Sequence, residues 1–190
     1  MIADLARLVS PWDAPLIALE EVDSTNEEVR RRAAAGAPEG LVVVADTQTA
    51  GRGRRGHSWH SPPGVGVYLS ILLRPNIPAA EAVALPLRAG LAAWSTVASF
   101  CVQRGLVPVL KWPNDVLVSG LKVAGILVES TSGKDGLVDV AVVGIGVNVV
   151  AHPMPPELEP TATSLQAALG RPVARAEVAA RLLDELRRAT

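Results

Sequence analysis

Three glycines and three arginines share one hexamer, Gly51-Arg52-Gly53-Arg54-Arg55-Gly56, which runs on into His57-Ser58-Trp59-His60-Ser61. Glycine lets a chain bend at positive φ and lie close against a ligand. Each guanidinium is a fixed fork of N–H donors matched to phosphate or carboxylate. Between Asp46 and Glu81 the sequence holds no carboxylate, so Arg52, Arg54, Arg55 and Arg74 stand unneutralised along the chain. In a chain of formal net charge −1 that segregation marks a candidate anion-binding loop. A solvated basic loop is the plain alternative.

The hexamer also fits G-x-G-x-x-G. That fingerprint needs a helix directly after it and an acid about 20 residues on. Residues 41–45 do read as a preceding strand, but Ser61-Pro62-Pro63-Gly64 follows and residues 65–73 read as another strand. Near position 71 stand Ser70, Ile71 and Leu72, none acidic. The context excludes a dinucleotide fold.

Other segments carry groups that chemistry needs. Ser24, with Glu27 three residues later, reads as a capping box that starts a helix running to Gly36. Capping accounts for Ser24 alone; Thr25 and Asn26 beside it leave donors and acceptors at a helix N-terminus, where ligands bind. Gln48 offers an amide suited to a urea-like or amide-like ligand, or is an ordinary loop glutamine. Lys111-Trp112-Pro113-Asn114-Asp115 reads as a tight turn. Lys122 shares a strand face with Ala124, Ile126 and Val128 by period 2, so it is either at a frayed end or aimed at a buried anion.

These groups need a scaffold, and the sequence supplies one. The chain has 190 residues, 49% of them apolar, enough for a single well-buried domain. No run reaches about 18 unbroken apolar residues, so no membrane span is expected. Cys101 is the only cysteine, which fits a reducing, cytoplasmic setting. Strands are expected at 16–19, 41–45, 65–73, 106–110, 116–118, 121–130 and 137–150. Helices are expected from Ser24, over 79–104 with a break or first-turn proline at Pro86, and at 161–169 and 174–188. Two strands carry a face thinned by glycine: Gly64, Gly66, Tyr68 and Ser70 on one, Gly144, Gly146 and Asn148 on the other. Something can lie on such a strip.

Taken together, Asp23-Ser24-Thr25-Asn26, Gln48 with the Gly/Arg hexamer and Trp59, Lys111-Trp112-Pro113-Asn114-Asp115, Lys122 with Ala124-Gly125-Ile126-Leu127-Val128-Glu129, Gly144-Ile145-Gly146-Val147-Asn148, and Thr163-Ser164-Leu165 resemble the biotin protein ligase family. The similarity runs from about residue 15 to about residue 170. It implies an α+β fold with a mixed, largely antiparallel sheet, like class II aminoacyl-tRNA synthetases and biotin synthetases. It also implies a two-step reaction: biotin and ATP give biotinyl-5′-adenylate, and a lysine of biotin carboxyl carrier protein takes the biotinyl group.

Carried over motif by motif, the resemblance puts biotin on Ser24, Thr25, Asn26, Gln48, Gly51, Arg52, Gly53, Arg54, Lys122 and Gly125. It puts the nucleotide on Arg54, Arg55, Trp59, Lys111, Asn114 and Asn148. Arg54 and Lys122 become the catalytic pair, with Mg²⁺ on the phosphates and no metal-ligating residue. The chemistry agrees with the residues: a carboxylate approaches an α-phosphate only where positive charge offsets the repulsion. The Gly/Arg loop is expected to be disordered or open without ligand and to order over the adenylate.

Many relatives carry an N-terminal helix-turn-helix; residues 1–15 are too few for one, so DNA binding is not expected. The small C-terminal β-barrel usual in the family is expected to be absent from a chain ending at Thr190, leaving one catalytic domain over 1–190. A non-catalytic biotin-binding paralogue and a lipoate or octanoyl transferase of the same fold are the competing functions. Helices are expected on one face of the sheet, and a homodimer is expected through an edge at residues 137–150.

Overall fold

The computed structural model describes residues 2–133 and 135–190. Eight strands form one sheet: β1 (Leu16–Val22), β2 (Val42–Gln48), β3 (Gly66–Leu73), β4 (Ile77–Pro78), β5 (Val109–Lys111), β6 (Asp115–Val118), β7 (Leu121–Ser132) and β8 (Leu137–Asn148). Their order is β1-β2-β3-β8-β7-β6-β5, with β4 set off that path against β8. β1 runs parallel to β2; every other pairing is antiparallel.

The helices are α1 (Thr25–Ala34), α2 (Ala79–Ala82), α3 (Leu85–Cys101), α4 (Leu165–Leu169) and α5 (Arg175–Ala189). They cover both faces of the sheet, not one. The reason lies in β2 and β3, which are apolar on alternate residues of both faces and so must be covered twice. Val42, Val44, Val67, Leu69 and Ile71 face the larger core, with Ala89, Ala93 and Val97 of α3 and Leu182 and Leu186 of α5. Val43, Leu72 and Val142 point the other way, under Val29 and Ala33 of α1.

β8 is an interior strand, hydrogen-bonded to β3 on one side and β7 on the other. The expected dimer through an edge at 137–150 is therefore excluded, because that backbone has no free N–H row to offer. The ends of the sheet are β1 and β5.

By length and composition the stretch Ala79–Arg104 would suffice to cross a bilayer, but half of its apolar window is buried inside this fold. It breaks after Ala82, and Pro86 falls in the first turn of α3, where its missing N–H costs nothing. Between β6 and β7 the chain reverses through Ser119 (φ 51°) and Gly120 (φ 82°), both left-handed as a two-residue hairpin of the primed type requires.

One buried ion cluster ties the sheet to the last helix. Arg175, 4% exposed, reaches Asp46 Oδ1 at 2.6 Å and Asp4 Oδ1 at 2.8 Å. Asp46 stands two residues before Gln48 on β2, so this cluster fixes the strand end that delivers the basic loop.

Candidate active site

A hollow of about 490 Å³ opens above the glycine-bearing strands. Ser24, Thr25, Asn26 and Gln48 line one part of it, residues 111–115 another, and residues 52–59 of the basic loop wall it.

At the α1 end, Ser24 holds the N-cap position with an extended backbone, yet its side chain caps nothing. The capping box expected from Ser24 and Glu27 does not form. Asp23 instead accepts the Ser24 N–H at 2.7 Å, while Glu27 turns to Arg52. The Ser24 hydroxyl is thereby left to the hollow. Arg31 grips Asp23 at 2.7 and 2.8 Å and holds its carboxyl down to about 2. Thr25 donates its N–H to Gln48 Oε1 at 2.9 Å. Asn26 donates to Glu129 Oε2 at 2.9 Å and has Ser70 Oγ 2.6 Å from its Oδ1. Thr25 and Asn26, both buried, thus have partners that fix their direction.

The glycine strip is covered by side chains of the protein itself. A β-carbon on Gly144 would collide with the Asn26 amide. One on Gly125 would stand 2.7 Å from the Trp59 ring, and one on Gly146 2.5 Å from its Nε1. Gly66 lies under the Tyr68 ring in the same way. The bare backbone thus seats the protein's own Asn26, Trp59 and Tyr68, and those side chains shape the hollow. Trp59 Nε1 is buried against the sheet at Gly146 with no hydrogen-bond partner among the described residues. The Tyr68 hydroxyl donates to the Pro62 carbonyl at 3.0 Å, and burial pushes its pKa up.

Lys122 enters the hollow because of a β-bulge. Val116 pairs with Ala124 but Leu117 pairs with Lys122, leaving Val123 as an extra residue in β7. Strict alternation puts Lys122 beside Ala124 and Ile126; the bulge sends those two into the core and Lys122 to the side of Gly125. Its ammonium lies 2.6 Å from Asp115 Oδ1 and 5.1 Å from the centre of the Trp59 ring. Its backbone is clamped as well, by Thr161 O and Thr163 N, each at 2.9 Å.

The arginines divide. Arg52 is neutralised in space though not in sequence: it bonds Glu27, and Glu129 Oε1 at 2.8 Å, with Arg30 sharing both acids. Arg74 is taken up by the carbonyls of Ala33 and Ala37 at the end of α1. Arg54 faces the hollow, its Nη1 3.4 Å from Asn114 Oδ1, and Arg55 sits beside it at a left-handed φ of 56°. Neither Arg54 nor Arg55 has an ion pair among the described residues.

The hollow therefore combines neutral amides and hydroxyls with lysine and arginine heads, and among the described residues Asp115 is the one carboxylate lining it. Donors and acceptors beside cationic heads suit a polar ligand that carries negative charge. Residues 19–148 match the model of the biotin/lipoate A/B protein ligase family. The chain belongs to that family.

Among curated relatives, the bifunctional ligase/repressor BirA of Bacillus subtilis is 42% identical over 170 residues, covering 88% of this chain and 51% of that protein. The biotin--[acetyl-CoA-carboxylase] ligase of Mycobacterium tuberculosis is 39% identical over 87% of this chain and 60% of its own length. The biotin protein ligase of Aquifex aeolicus, solved in complex with biotin and ATP, superposes with a TM-score of 0.77 at 36% identity, covering 94% of this chain and 70% of that one. The chain spans about half the length of the first of these relatives.

Within this ligase-family site, most residues named from the sequence share one hollow. Gly51 and Asn148 are not among those lining it. Gly51 packs against Ser61 and Gln48, where no β-carbon fits, and Asn148 gives its amide to the Thr163 carbonyl at 3.0 Å. Three contributors were not singled out. Asp115 pairs Lys122, Ser61 braces Gln48, and Glu129 holds Asn26 and Arg52 together. Glu129 follows Gly125 and Leu127 at period 2, a signal available in the sequence; Ser61 carries none.

Proposed function

We propose that the chain joins biotin to ATP as biotinyl-5′-adenylate and then passes the biotinyl group to a lysine of a biotin carboxyl carrier protein. The observation that carries this reading is that Arg54 and Lys122, from two distant segments, line the same hollow as the buried Ser24, Thr25 and Asn26 and the half-buried Gln48.

Biotin's ureido ring is neutral and offers one carbonyl and two N–H groups, a match for the Ser24 hydroxyl and the amides around it. Its carboxylate then points along the hollow to the cations. A carboxylate oxygen attacks the α-phosphorus, the bond to the β-phosphate oxygen breaks, and pyrophosphate leaves. Lys122 and Arg54 lower the repulsion between two anions and hold the charge that gathers on the phosphoryl oxygens. In the second step a carrier lysine amine attacks the acyl carbonyl, and AMP departs. No enzyme nucleophile enters this route, and Cys101 lies in the core with its thiol pushed up by burial. Mg²⁺ would arrive on the triphosphate. Such an ion takes most of its ligands from phosphate and water, and Asp115, the lining carboxylate paired with Lys122, would be the protein's contribution.

A reducing cytoplasm is the proposed setting. With β8 internal, self-association through the sheet would use β1 or β5, which sedimentation velocity can read.

The test is incubation with biotin, ATP and Mg²⁺, then mass detection of biotinyl-5′-adenylate, then addition of a biotin acceptor domain. The expected results are an adenylate product and an acceptor heavier by one biotinyl group. Adenylate without acceptor labelling would remove the transfer step, and no adenylate at all would overturn the reading.

A further inference from the structure

A run of hydrogen bonds leads from the first turn of α1 to the backbone of Trp59, and its direction is set at one end. The Thr25 backbone N–H can only donate, so the oxygen of Gln48 must face it, at 2.9 Å. The Gln48 NH₂ group then points at Ser61 Oγ, 2.8 Å away. Having accepted that bond, the Ser61 hydroxyl sends its own proton to the Trp59 carbonyl at 3.0 Å.

The junction is tight. Ser61 is 5% exposed, and its carbonyl accepts from Thr47 Oγ1 at 2.7 Å and from the Gln48 N–H at 3.2 Å. A β-carbon on Gly51 would stand 2.8 Å from Ser61 Oγ and 3.1 Å from Gln48 Nε2, so only glycine fits at this crossing. Gly51 in turn accepts the Trp59 N–H at 2.9 Å. Trp59 is thus held at both its N–H and its carbonyl, while its ring lies on Gly125 and Gly146 under Lys122.

Building on the biotin and ATP reading, we infer that Ser61 is a positioning residue that couples the two ends of the hollow. It is not among the residues lining the hollow, so it acts through its neighbours. A ligand bonded at Ser24, Thr25 and Gln48 fixes the Gln48 amide, the amide fixes the Ser61 hydroxyl, and Ser61 fixes the Trp59 backbone. The indole wall beside Lys122 is then in place before the nucleotide arrives. Occupying one end lowers the ordering cost of the other, and by linkage the effect is reciprocal.

Calorimetry on the whole chain tests this, with biotin, with an ATP analogue carrying a methylene between the α and β phosphorus atoms, and with each in the presence of the other. In wild type each ligand is expected to tighten the other at least about fivefold. Ser61→Ala should bring that factor to about one, and Ser61→Thr, which keeps the hydroxyl, should retain it. A serine with a merely structural role would weaken both ligands alike and leave the factor unchanged. That outcome, or no coupling in wild type, overturns the inference. If wild type binds neither ligand, the biotin and ATP reading falls and takes the inference with it. Should the alanine variant fail to fold, Ser61→Cys decides, since it fills the same space with a weak hydrogen-bonding group and is expected to lose the coupling too.

Discussion

Trp59 lies across the backbone of Gly146, so close that a β-carbon on the glycine would stand 2.5 Å from the indole Nε1. The ring cannot occupy that place unless position 146 is bare.

Gly146→Ala is therefore expected to lift the indole off the sheet. Overpacking of this kind costs about 1–3 kcal/mol of stability. Misplacing the wall of the site should lower adenylate formation by up to about a hundredfold. Thermal unfolding and a pyrophosphate-release assay read the two effects. Unchanged turnover would mean that Trp59 does not shape the reacting end.

Glu129 bonds Asn26 with one oxygen and Arg52 with the other. In Glu129→Gln one of those donors would meet an NH₂ group. Loss of a hydrogen bond to a charged group is worth about 1.5–3 kcal/mol, so the loop anchor should weaken and biotinyl-adenylate should dissociate roughly tenfold faster or more. Competition with unlabelled adenylate measures that rate. A wild-type rate would separate Glu129 from retention of the intermediate.

Arg175→Met is expected to destabilise the fold, because it removes the buried guanidinium that Asp46 and Asp4 share. Breaking a buried pair from one side costs about 3–5 kcal/mol. Denaturant titration checks the value. A loss below about 1 kcal/mol would show that water replaces the guanidinium.

Asp23 gives a pH dependence with a definite sign. Its folded pKa, near 2, lies below its ordinary value, so its contribution is full above about pH 4 and fades as pH falls towards about 2. Both Asp23 and Arg31 are about half exposed, so the contribution is small and screened by salt. Arg31→Gln should return the carboxyl towards the ordinary range in an NMR titration. A midpoint that stays put would assign the shift to something other than Arg31.

What the sequence made legible was local. The Gly/Arg loop, the Ser24-Thr25-Asn26 trio and the Lys122 strand announced themselves by residue type and spacing, and all three reach the hollow. What it hid was non-local. Arg52 looked unneutralised because its acids, Glu27 and Glu129, come from α1 and β7. Lys122 appeared on the core side because period 2 knows nothing of the bulge at Val123. β8 passed for an edge because pairing order is a property of the whole sheet. The glycine strip was visible, but its occupants, Asn26 and Trp59, lie far off in sequence.

The most direct test is a single-turnover measurement of biotinyl-5′-adenylate formation in wild type, Lys122→Ala and Arg54→Ala. Each variant is expected to be slower by at least about a hundredfold, since each removes a donor aimed at charge that develops during the step. Adenylate formed at the wild-type rate by Lys122→Ala would contradict the account.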